Sequence, residues 1–185
     1  MKTMKRKSKP LDFIVDRLTK SIELATTGER FETKVLPIEK ADMKFISKRA
    51  GWKFDWQQEI AAGAKVYKLV AKTEPGAIQG LAAFFDAEGY IEMSLLESAP
   101  FNIGKGKKFD GVAGNLVAFG CLLSLQKGFD GVLSFVSKTK LMEHYHKSFG
   151  AVHIGNQRMT IFETKAAELI TRYFPNFTSK ENNHE

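Results

Sequence analysis

The sequence predicts an α/β (α+β) domain built on a mixed, mainly antiparallel central sheet flanked by helices. Two observations predict it. First, three apolar runs, 66–72, 78–85 and 90–96, follow one another across tight turns, which is the pattern of an antiparallel meander. Second, a loop rich in Gly and Lys follows the third run and leads into an apolar helical run, 116–127, and then an apolar run, 132–136. A strand that is apolar on both faces suits a buried, parallel neighbour. Parallel pairing in turn needs a crossover such as this helix.

The elements follow in order. Residues 1–10 read as a flexible basic tail, and 11–175 as a single domain. Leu11, Ile14, Val15 and Leu18 recur at helical spacing, so 11–18 is predicted helical. Residues 21–25 and 31–36 read as strands about a turn at Gly28, and Pro37 ends that pattern. Met43, Phe45 and Ile46 predict a helix over 39–49. Trp52, Phe54 and Trp56 form an aromatic cluster that either packs the core or borders a binding site. Glu74-Pro75-Gly76 has the chemistry of a tight turn. Gly80 inside the second run marks a bulge or a close approach. The helix over 116–127 is expected to bury Leu116, Val117, Phe119, Leu122, Leu123 and Leu125, with Gly128 as its cap. A helix over 140–149 carries Leu141, Met142, Tyr145 and Phe149. Runs 152–154 and 159–162 pair about Gly155-Asn156-Gln157, a helix spans 164–174, and 176–185 reads as disordered.

Composition narrows the function classes. The chain of 185 residues is 43% hydrophobic, enough for a packed core. Its net charge of +7 comes largely from Lys2, Lys5, Arg6, Lys7 and Lys9; beyond them 23 basic residues face 21 acidic ones. The basicity therefore belongs to the tail, which leaves a nucleic acid or an acidic partner open there, and not to a broad face. The single cysteine, Cys121, excludes an internal disulfide, fits a reducing compartment and reads as a small core residue. No run approaches a membrane span and no apolar segment follows the basic start, so a cytoplasmic protein is expected. His144, His146 and His153 lack the spacing of a metal set, and no metal is expected.

The chemistry concentrates after the third strand. The first amides of a helix have no internal partners and sit at the positive end of its dipole. Glycines let a backbone approach an anion, and lysines add charge. Residues 111–115, at the junction of the Gly/Lys loop and the helix, are therefore a candidate phosphate site. The spacing is neither a P-loop nor a Rossmann fingerprint. A solvated, glycine-rich surface loop remains the alternative reading.

The run Lys108-Phe109-Asp110-Gly111-Val112-Ala113 resembles the Q/R-x-x-G-x-G/A loop of the GCN5-related N-acetyltransferases. The same order of parts follows: helix, strand, a helix bearing Tyr145, then Phe149-Gly150-Ala151. The resemblance covers about residues 65 to 163. It implies two parallel neighbouring strands that splay, with the pantetheine arm of acetyl-CoA in the gap. It implies that Phe109, Asp110, Gly111, Val112, Ala113, Gly114 and Asn115 hold the pyrophosphate, with Lys108 and Lys138 toward phosphates. Leu95 and Leu96 would offer backbone groups to the acetyl and pantetheine parts. Tyr145 would be the general acid to the CoA sulfur, and Glu97 the general base, with Glu92 as alternative. The chain departs from the family in Lys108, where Gln or Arg is usual, in the longer loop through 102–107, and in Lys138, where Asn is common.

The activity so implied is acyl transfer from acetyl-CoA to a primary amine by direct attack in a ternary complex. No residue suits a covalent acyl intermediate. Two alternatives stand beside it: a toxin-type acetyltransferase acting on protein or aminoacyl-tRNA, and a non-catalytic module that binds CoA or nucleic acid. No motif identifies the acceptor. Exposed strand edges leave a homodimer open.

Overall fold

Ten strands and four helices arise from these patterns in the computed structural model, which describes residues 8–177 apart from Asp16. The basic residues up to 7 and the tail from 178 lie outside the described residues. The strands are β1 (Ile22–Leu24), β2 (Arg30–Phe31), β3 (Thr33–Pro37), β4 (Lys65–Ala71), β5 (Glu74–Asp86), β6 (Ile91–Ser98), β7 (Phe109–Asp110), β8 (Leu133–Val136), β9 (Val152–His153) and β10 (Arg158–Ile161). The helices are α1 (Trp56–Ala61), α2 (Val112–Gln126), α3 (Met142–Phe149) and α4 (Glu163–Tyr173).

Seven strands form the main sheet in the order β3-β4-β5-β6-β8-β10-β9. Every pairing is antiparallel except β6 with β8. The meander and the buried parallel strand are thus as the apolar runs predict. A small sheet, β2-β1-β7, clips the amino-terminal hairpin to the Gly/Lys loop. The two sheets share the run 30–37, because the chain leaves the small sheet at Phe31 and enters the large one at Thr33.

Helix α2 lies on β5 and β6 and against α4. It is buried almost all round, in keeping with its apolar sequence. Gly120 lets it come close: a Cβ there would stand 2.7 Å from the Phe84 ring and 3.0 Å from Leu133. Cys121 is fully buried in this layer, and burial holds its thiol far above the ordinary value. It is a core residue, as expected.

Register shifts shape the sheet, one of them between Val70 and Ala71 at the start of β5 and two of them single-residue bulges. Opposite β4, β5 carries the extra residue Gln79, next to Gly80; opposite β5, β6 carries the extra residue Ser94. A bulge bends its strand and raises the local twist. The bulge at Ser94 falls just past the only β6–β8 register pairs, Ile91 with Leu133 and Glu92 with Ser134. Beyond it the two strands part.

Several local expectations are corrected. The region 39–49 is two 3₁₀ turns, Lys40–Phe45 and Lys48–Ala50, broken by Ser47, which caps the second by accepting from the Ala50 N–H. The turn between β4 and β5 is at Lys72 and Thr73, so Glu74-Pro75-Gly76 already belongs to β5. Helix α2 starts at Val112, one turn earlier than expected, which makes 112–115 its first turn. Phe119 and Leu125 are only partly buried. The largest correction is 11–18, which forms no helix. Leu11 and Val15 are buried while Ile14 is 58% exposed. Alternate residues 11, 13 and 15 face inward, the period of an extended chain. Leu11 pairs with Ser137 in a parallel bridge.

Candidate functional site: the gap between β6 and β8

The described residues 8–15 and 17–19 form one segment, whose stretch about Leu11 lies in the gap where β6 and β8 part. The edge of β8 that faces β6 presents its even-numbered backbone groups, as the Ile91 N–H to Val132 carbonyl bond shows. The same edge bonds the segment: the Leu11 N–H donates to the Val136 carbonyl at 2.8 Å, and the Lys138 N–H to the Leu11 carbonyl at 3.0 Å. The opposite edge of β8 is taken by β10. On the β6 side, the Ser8 hydroxyl donates to Glu92 at 2.8 Å. The segment is a strap, held as an eighth strand would be.

Further contacts continue along it. Lys138 reaches the Asp12 carboxylate at 2.5 Å, and Lys53 approaches the same oxygen at 3.7 Å. The hydrogen bond from Lys138 holds the Asp12 carboxyl below its ordinary pKa. A lowered folded-state value means this tie acts above the unfolded pKa and is lost only as pH falls through the folded one. The Phe13 ring packs on Tyr145, Phe135 and Phe149, with centroids at 4.7, 6.1 and 6.4 Å. The Val15 N–H donates to His144 Nε2 at 2.9 Å. Arg17 pairs with Glu23 at 2.6 Å and approaches Asp110 at 3.5 Å. At the far end the Thr19 N–H donates to the Tyr173 hydroxyl, and Arg172 donates to the Leu18 and Thr19 carbonyls.

Tyr145, to which the resemblance gives the role of general acid, lies on α3 against Phe13 of the strap. Its side chain is fully buried and its hydroxyl donates to the Phe13 carbonyl at 2.7 Å. Burial, and secondarily the charge of Asp12, push the phenol above the ordinary tyrosine value.

The candidate phosphate loop has the shape its glycines suggest. Gly111 is the N-cap of α2 at φ +92°, a left-handed conformation. The first internal bond runs from the Asn115 N–H to the Gly111 carbonyl. The amides of Val112, Ala113 and Gly114 therefore precede the helical ladder, as at any helix start. They share one small recess with Ile14, Val15 and Arg17 of the strap. Only about 30 Å³ stays open there, room for a water or two and not for a pyrophosphate. Beneath the loop the buried Asn102 amide donates to the backbone and side chain of Gln79 and its oxygen accepts from the Phe109 N–H. Asn115 is fully buried and donates to Thr33.

The other expected residues fall as follows. Phe109 and Asp110 form β7, and Asp110 pairs with Lys107 at 2.7 Å. Lys108 lies over the Phe109 ring and 3.5 Å from Glu74. Lys138 is bound to the strap. Glu97 is 5% exposed and its two oxygens accept from the Lys53 N–H at 2.6 Å, the Phe54 N–H at 3.4 Å and Trp56 Nε1 at 2.8 Å. It joins the aromatic segment to the end of β6, and both tryptophans are core residues.

Leu95 and Leu96 border a cavity of about 620 Å³ at the amino-terminal end of the gap, a volume in the range of small-molecule sites. Five carboxylates line it, those of Asp12, Asp55, Glu59, Asp86 and Glu92; Asp12 is ion-paired with Lys138 and Lys53, and Asp86 with Lys65 and Lys127. Glu59, from α1, is buried and accepts from the Ser94 hydroxyl at 2.9 Å. Glu92 is ion-paired with Arg158. Sequence reasoning missed Glu59, Ser94 and Arg158, which are brought together only by the fold. It also missed the strap, for which the alternation of Leu11, Phe13 and Val15 was the available signal. Among the described residues no cluster of His, Cys, Asp and Glu could hold a metal, and no helix is long and apolar enough to cross a membrane.

No family model matches the chain, and no curated protein matches it. Solved structures do. A chimera of the spermidine N-acetyltransferase SpeG from Vibrio cholerae with hSSAT superposes with a TM-score of 0.53 at 15% identity, over 74% of this chain and 99% of that one. A mutant form of the spermidine/spermine N-acetyltransferase SpeG from Vibrio cholerae gives 0.52 at 15% identity, over 74% and 98%. The chain has the fold that the loop resemblance implied, a mixed α/β sheet of the GCN5-related acetyltransferase kind.

Proposed function

We propose that this chain is an acetyl-CoA-dependent N-acetyltransferase whose acceptor is a primary amine. The observation that carries the proposal is the parting of β6 and β8. It defines a path, filled here by the strap, from the cavity, past Tyr145, to the amino-terminal amides of α2. A thioester cofactor laid along that path would place its pyrophosphate at 111–115 and its acetyl group by Leu95 and Leu96. The acetyltransferase fold of the neighbours supports the same reading.

In the proposed reaction the neutral amine nitrogen attacks the thioester carbonyl carbon. The tetrahedral oxyanion forms beside the β6 backbone and collapses as the carbon–sulfur bond breaks. Tyr145 gives its proton to the leaving thiolate. The amine proton leaves through water to a cavity carboxylate, with Glu59 placed beside Ser94 and Leu95. Glu97, whose oxygens are engaged by three donors, positions the aromatic segment that walls the site. An amine is protonated at neutral pH, so a base is needed to make it a nucleophile.

Tyr145→Phe is expected to lower kcat by about a hundredfold, the scale of a lost general acid, while the acetyl-CoA affinity changes by less than about threefold. Steady-state acetylation of a diamine panel, beside calorimetry with acetyl-CoA, measures both. Unchanged turnover in the variant would remove Tyr145 from the chemistry. A second reading rests on the strap itself: a scaffold whose groove is filled by its own chain and never takes a cofactor.

A further inference from the structure

We infer that residues 8–19 are a built-in competitor for the coenzyme groove, and that the cofactor loads only when this strap leaves it. The inference rests on the function proposed above and concerns how that site is regulated.

The strap follows the cofactor path at each of its stations. By Glu92 it begins with Ser8. Between β6 and β8 it supplies backbone hydrogen bonds through Leu11, to the groups on the gap-facing edge of β8. Opposite Tyr145 its Phe13 carbonyl takes the proton that the phenol would offer to a sulfur. Over the start of α2, Ile14, Val15 and Arg17 close the recess, and Arg17 stands near the Asp110 carboxylate. One segment thus satisfies the β8 edge, the acid and the mouth of the phosphate loop at once. A cofactor arm and the strap cannot share the gap.

The contacts are also of a kind that can be given up. Ile14 is 58% exposed, and the Arg17 side chain is 52% exposed. The strap has no helix or strand of its own beyond the Leu11 bridge. At its far end the backbone is held by Arg172 and Tyr173, so the strap can swing out ahead of Leu18 and Thr19, which stay. When only the strap-out fraction binds ligand, the apparent dissociation constant is the intrinsic one divided by that fraction.

The test uses the full chain in two variants. In the first, Asp12→Ala with Phe13→Ala removes the tie to Lys138 and the ring packing on Tyr145. In the second, Leu11→Cys with Ser137→Cys places thiols on bridge partners, so that oxidation locks the strap and dithiothreitol releases it; mass spectrometry verifies the disulfide. Cys121 is fully buried and stays outside the exchange. CoA and acetyl-CoA are titrated by calorimetry, and circular dichroism verifies folding. The inference expects the Asp12→Ala, Phe13→Ala chain to bind at least about tenfold more tightly than the unaltered chain. It expects the oxidised pair to lose binding and the reduced pair to regain it. Equal affinity in the oxidised and reduced pair would overturn the strap while leaving the proposed function standing. If Asp12→Ala, Phe13→Ala does not fold, the cysteine pair alone decides. No binding by any folded form, the strap-weakened one included, would remove the proposed function and the inference with it, and would favour the filled scaffold.

Discussion

Glu97→Ala is expected to lower the unfolding free energy by about 3–5 kcal/mol, seen as a fall in the urea midpoint at unchanged slope. The carboxylate is buried and holds two backbone amides and the Trp56 indole N–H. Each donor left unsatisfied in the interior costs about 1–3 kcal/mol. Glu97→Gln keeps the shape but turns one acceptor into a donor, so it should recover only part of the loss. The measurement also separates two roles. A pure general base would cost turnover and leave the urea curve unmoved, whereas the arrangement of donors requires the stability loss at every pH where the carboxylate is charged.

The second large effect is expected at Gly111. Its φ of +92° costs an L-residue about 1–2 kcal/mol. A Cβ there would also overlap the Thr19 hydroxyl and the Ser21 carbonyl oxygen. One of these is backbone, already part of the stretch that enters β1, so the clash cannot be relieved by a rotamer change alone. Gly111→Ala is therefore expected to destabilise by about 3 kcal/mol in total. Gly155, with φ +105° and open space around its Cβ, is the control and should lose only the conformational part. If both alanine variants unfold at the same urea concentration, the close approach of the 19–21 backbone to the loop is wrong.

These sites also show what the sequence made legible. The meander, the apolar helix and the buried strand after it were readable because each has its own period and its own turn residues. Gly111 was readable as a loop glycine because it lies within one contiguous stretch, 91–150, whose order of elements is itself legible. The duty of Glu97 was not. Its partners lie 41 to 44 residues away, and nothing local distinguishes a carboxylate that receives buried donors from one that faces solvent. The strap was misread for another reason. Leu11, Ile14, Val15 and Leu18 fit a helix, and Leu11, Phe13 and Val15 fit an extended chain. The choice was made by the unpaired edge of β8, which offers hydrogen bonds to an extended segment and none to a helix. Glu59, Ser94 and Arg158 escaped notice because three separate elements bring them to one cavity.

The covalent attachment of the strap has a consequence for dosage. A separate inhibitor falls off as the protein is diluted, and its hold depends on how much of it the cell makes. A segment joined to the same chain at Thr19 is present at an effective concentration on the order of millimolar, whatever the abundance of the protein. The ratio of shut to open molecules is then the same in one copy as in a thousand. What changes that ratio is the amount of coenzyme, so the groove would report the level of its own ligand and not the level of the protein.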